Sequence, residues 1–140
     1  MNQMARPISH HEALIYAMVT LSAADRAMTD RDLLKISDIV RTMPIFSDFD
    51  VNTLPDAASA CGALLREEDG LDNMLAIIKA SMPPRLYETL YACAVEVAAA
   101  DLYVDQEELV FLEMLRDELE IDPLVATAIE RSARVRYRVK

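Results

Sequence analysis

Residues Leu14–Ile39 read LIYAMVTLSAADRAMTDRDLLKISDI, and Leu90–Leu115, 76 positions further on, read LYACAVEVAAADLYVDQEELVFLEML. Laid over one another without a gap, the two segments match in type. Leu14 falls on Leu90, Val19 on Val95, Ala23-Ala24-Asp25 on Ala99-Ala100-Asp101, Met28 on Val104, Asp32 on Glu108 and Leu33 on Leu109. Each copy reads as a helix, a short acidic corner and a second helix, which is an αα-hairpin. Neither hairpin can bury its apolar stripe alone. The two are expected to pack on each other as a compact bundle with pseudo-two-fold character.

The rest of the chain fits an all-α fold. It has 140 residues, 53% of them hydrophobic, which suits one domain with its own core and excludes a disordered tail. Two glycines and no tryptophan leave little material for tight β-turns, whereas Ala, Leu, Met and Glu are good helix formers. About seven helices are expected over a single domain, 1–140, with hairpin repeats at about 9–43 and 84–120.

Local signals place the helix ends. Ser9 with Glu12 has capping-box spacing, as do Thr29 with Asp32 and Asp105 with Glu108. Pro44 closes the second helix. Helices follow over about Thr53–Glu68, ended by Gly70, then Asp72–Ala80, and from Pro84 to about Ala100. Asp122 followed by Pro123 starts the last one.

Net charge is −10, so a nucleic-acid partner is not expected, and cations or basic protein patches are. The last ten residues, 131–140, run against this trend. They hold five of the 14 basic residues and no acid, and read as a basic C-terminal tail that either folds back on the acidic body or docks an anionic partner. Cys61 and Cys93 lie among small apolar residues without CxxC spacing and read as buried thiols. The opening residues lack a secretory leader pattern and no apolar run reaches membrane-spanning length. A cytoplasmic location without membrane insertion is the expectation. His10-His11 reads as a surface pair. The chain has no Gly-rich phosphate loop, and neither Ser22 nor a cysteine has a His/Asp set for nucleophilic catalysis. The eight methionines sit mostly at core spacing, and a methionine-rich face is the basis for a purely structural homodimer.

The corners carry the chemistry. Asp25 and Asp101 end the first helix of each copy, Thr29 and Asp105 cap the second, and Asp32 and Glu108 follow three residues later. Capping accounts for Thr29, Asp32, Asp105 and Glu108, since carboxylates in a first turn complement the helix dipole. It does not account for Asp25 and Asp101 near a helix C-terminus. Oxygen ligands gathered at a corner suit a hard cation such as Ca²⁺ or Mg²⁺. On that reading Asp101, Asp105 and Glu108 are the first candidate ligands, with Asp25 and Asp32 second. The spacing lacks the D-x-D-x-D-G pattern and central glycine of an EF-hand.

These corners resemble the tellurite-resistance protein B family, the TerB-like domains. The family's hairpins read as a small-apolar run, then A-D-G-x-[IV]-[ST]-x-x-E, then an apolar helix. Ala24-Asp25, Met28, Thr29 and Asp32 fit that frame, as do Ala100-Asp101, Val104, Asp105 and Glu108. The resemblance spans about Ile8 to Asp122. It departs at the glycine, which is Arg26 in one copy and Leu102 in the other, and at Asp32, where the family has Glu. The resemblance implies an all-α bundle with an acidic face, a non-enzymatic interaction or sensing module in bacterial stress response and tellurite resistance, and an unidentified protein partner. A metal-dependent, hydrolase-like enzyme using the same carboxylates is the alternative.

Overall fold

A computed structural model describes residues 8–24, 27–101 and 104–140. Among them are seven α-helices and no strand: α1 (His10–Ser22), α2 (Asp30–Thr42), α3 (Leu54–Leu65), α4 (Gly70–Ser81), α5 (Tyr87–Ala100), α6 (Gln106–Glu118) and α7 (Pro123–Arg136). Short 3₁₀ turns at Pro44–Phe46, Val51–Thr53 and Pro84–Leu86 link them.

The expected caps are in place. Glu12 donates its backbone N–H to Ser9 Oγ at 3.0 Å, and Ser9 N–H returns to Glu12 Oε1 at 3.1 Å. Thr29 and Asp32 repeat this reciprocal pair at 3.2 and 2.9 Å, and Asp105 and Glu108 at 2.9 and 3.4 Å. Asp122 accepts from Leu124 N–H at 2.8 Å, ahead of Pro123 in the first turn of α7.

Two helices form the centre. Leu14, Ile15, Met18 and Leu21 of α1, and Leu90, Tyr91, Cys93 and Ala94 of α5, are fully buried. A helix covered on all sides needs apolar residues all round, and both sequences supply them. Each buried Leu, Ile or Met side chain contributes about 1.5–3 kcal/mol by leaving water. The helices lie against each other, with α2 reaching α5 and α6 reaching α1. That exchange is what a pseudo-two-fold requires. The duplication also runs further than two helices: α3 packs on α1 as α7 packs on α5, while α4 fills the space beside α1, α3 and α6. The third helices escape a constant offset because their connections differ. Residues 43–53 separate α2 from α3, and only 119–122 separate α6 from α7.

Two readings are corrected. Gly70 does not end α3; it is the first residue of α4. The left-handed turn falls on Asp69 (φ 58°), and Gly70 is needed because a Cβ there would lie 2.5 Å from the Leu65 carbonyl oxygen. His11 is buried, not on the surface. Its Nε2 lies 3.0 Å from the Ile45 carbonyl oxygen and 3.1 Å from Asp48 Oδ1. The ring stacks on Phe46 with centroids 5.6 Å apart, so it fastens the 3₁₀ turn after α2 to the start of α1.

Candidate functional site: the joined elbows

The capping boxes bury the third residue of α2 and of α6. Asp32 is 4% exposed and Glu108 6% exposed, at equivalent positions of the two copies. Each side chain accepts the backbone N–H of its own cap residue. Asp105 is half-buried and Glu107 exposed.

Asp101 follows the last turn of α5 in an extended conformation, φ −86° and ψ 141°. A carboxylate there opposes the helix dipole. Its partner comes from the other copy: the Lys35 ammonium of α2 donates to Asp101 Oδ1. The same ammonium lies 3.9 Å from Asp32 Oδ1. Acids from both elbows therefore meet at one cation, which α2 can deliver because it packs on α5. The reciprocal position in α6 is Phe111, which lies with Thr20 and Ala24 around a cavity on the other side of the pseudo-two-fold.

Of the candidate ligands, Asp32 and Asp101 are brought together through Lys35, while Asp105 and Glu108 bond each other's backbone. Asp25 lies outside the described residues, as do Arg26 and Leu102. Among the described residues, no group of three or more His, Cys, Asp or Glu side chains is arranged to hold a metal ion.

Residues 11–131 match the family model of the tellurite resistance protein TerB. The chain belongs to the TerB family. No curated protein and no solved structure matches it. The match spans both TerB-type elbows and all of α2 to α6, so the Lys35 bridge lies inside the TerB domain. Among the described residues no helix is long and apolar enough to cross a membrane.

The basic end of this TerB domain belongs mostly to α7. Arg136 donates to both Glu96 oxygens, at 2.9 and 2.8 Å, and the Tyr137 hydroxyl donates to Glu96 at 2.7 Å. The Arg136 guanidinium is the main reason the Glu96 carboxyl lies below its usual range. Burial, then the Glu96 bond, pushes the Tyr137 hydroxyl up. Arg136 and Tyr137 thus tie the C-terminal end of α7 to α5.

Lys35 is the member of the candidate site that the sequence did not point to. A signal existed, since Lys35 lies three residues after Asp32 on one helix face. Its second partner, 66 positions away, has no local trace.

Proposed function

We propose that this chain is a non-enzymatic interaction module of tellurite-resistance type, acting in the bacterial cytoplasm, whose joined elbows form a receptor for cations. The cation is a divalent ion, Ca²⁺ or Mg²⁺, taken up by Asp101 with Asp105, Glu108, Asp32 and Asp25 as Lys35 withdraws. A protein partner reads the state of this face. One observation carries the reading: acids from the two elbows already share a cation, the Lys35 ammonium. A resident ammonium keeps the neighbouring carboxylates from repelling one another until a better cation arrives.

The hydrolase-like alternative needs a carboxylate free to act on a substrate. Asp105 and Glu108 instead spend oxygen atoms on each other's amides. The homodimer alternative relied on methionine faces. All six described methionines are buried or half-buried, so the reading does not use them.

Calorimetric titration with Ca²⁺, and separately Mg²⁺, compares the native chain with Asp101→Asn/Glu108→Gln. A saturable heat in the native chain that the double variant loses supports the receptor. Equal, negligible heats in both proteins remove it.

A further inference from the structure

The repeat places a groove beside each elbow. Val19, Ala23, Met28 and Leu33 wall one, closed by α3. Val95, Ala99, Val104 and Leu109 wall the other, closed by α7 around a cavity of about 290 Å³. These are the same four register positions in the two copies. The two copies then diverge in one direction. Where the first has Ile15, Ser37 and Val40, the second has Tyr91, Glu113 and Arg116, and all three of these line the second cavity.

Those substitutions build a polar floor under an apolar wall. Tyr91 is fully buried and donates its hydroxyl to Glu130 Oε2. Arg116 Nη1 lies 3.5 Å from the same oxygen, and its Nη2 lies 3.9 Å from Glu113. Burial pushes the Tyr91 hydroxyl up and keeps it a donor. Glu113, Arg116 and Glu130 thus answer one another. Arg134, also lining the cavity, makes no hydrogen bond or ion pair among the described residues. The two acids and two arginines of the lining balance in charge, but both acids turn to Arg116, and Arg134 is left without a direct contact over apolar surface. Pockets that combine apolar walls with a few convergent polar groups are the usual places for small ligands.

We propose that the α5–α6–α7 cavity binds a small molecule with an apolar body and one carboxylate. The carboxylate meets Arg134, and the body lies against Val95, Ala98 and Leu112. At about 30 Å³ per water-sized unit the space takes roughly ten non-hydrogen atoms, the size of octanoate. The sister groove also has an arginine, Arg66, at its edge but lacks the Tyr91, Glu113 and Arg116 floor, so the ligand is assigned to the α7 side.

The test is an amide-shift titration of the ¹⁵N-labelled full chain with octanoate, octan-1-ol and octylamine. The inference predicts saturable shifts with octanoate, confined to the lining of α5, α6 and α7, and none that saturate with the alcohol or the amine. Arg134 is exposed, so its replacement leaves the fold intact, which circular dichroism checks. Arg134→Ala weakens octanoate about tenfold, as loss of one charged hydrogen bond does. Arg134→Lys restores part of the affinity, and Arg66→Ala changes nothing. Shifts that stay linear to millimolar octanoate, shifts spread over both grooves, equal binding of the alcohol, or native affinity in Arg134→Ala would each overturn it.

Discussion

Lys35 of α2 and Asp101 of α5 form an ion pair between the two copies of a duplicated hairpin, 66 positions apart in the chain. The pair is partly shielded, with side chains 17% and 33% exposed. It gives the elbow acid of one copy a counter-charge from the other. The equivalent residue in the second copy, Phe111, is buried and carries no charge, so the arrangement is used once.

A double-mutant cycle on this pair, Lys35→Met with Asp101→Asn, should give a coupling energy of about 1 kcal/mol at low salt, at the upper end for partly exposed pairs. Urea unfolding measures it, and 1 M salt should shrink it. A coupling within error of zero would mean that the two groups merely lie close.

Glu96 predicts an acid-dependent term. Its carboxyl is held low chiefly by Arg136, so its stabilisation is fully present above the ordinary glutamate value of about 4.3. It is lost as pH falls through the lower folded value. Because Arg136 is 52% exposed, solvent screening holds the effect to about 1 kcal/mol. Glu96→Gln should therefore be less stable than the native chain at pH 7, with the gap closing towards pH 3. A gap independent of pH would contradict the assignment.

Both thiols should be inert in the folded chain. Burial pushes Cys61 up to about 11 and Cys93 to about 12, and both are fully buried. The thiolate is the reactive form. An aromatic disulfide reagent at pH 8 should label neither cysteine in native protein and both in guanidinium. Rapid labelling of one thiol before unfolding would show that its cover opens.

Two positions test how the chain places glycine. Glu120 closes α6 in the left-handed region at φ 54°, where Ile121 N–H reaches the Arg116 carbonyl at 3.0 Å. Only glycine takes that conformation without steric cost, so Glu120→Gly should gain about 0.5–1 kcal/mol. At Gly70 the reverse holds: the added methyl of Gly70→Ala meets the Leu65 and Leu64 carbonyls at 2.5 and 2.8 Å. That change should cost about 2 kcal/mol or more. Thermal melts of both variants give the two signs.

What the sequence revealed follows the range of each interaction. The caps at Ser9, Thr29, Asp105 and Asp122 were legible because donor and acceptor lie within three residues. The hairpin duplication was legible because its elbows keep one offset. The third helix of each copy was not, since residues 43–53 break that register. His11 was misplaced because the Phe46 and Phe49 rings that bury it are brought up by that same connection. At the candidate site the acids were visible in number and spacing. Their common cation was not, because Lys35 reaches Asp101 only after α2 has packed on α5.

The receptor is tested most directly by calorimetric Ca²⁺ titration of Lys35→Met beside the native chain. Removing the resident ammonium takes the counter-charge from Asp101, so Lys35→Met should bind Ca²⁺ at least about fivefold more tightly, the equivalent of the lost pair at about 1 kcal/mol. Identical affinities, or no saturable heat in Lys35→Met, would contradict the account.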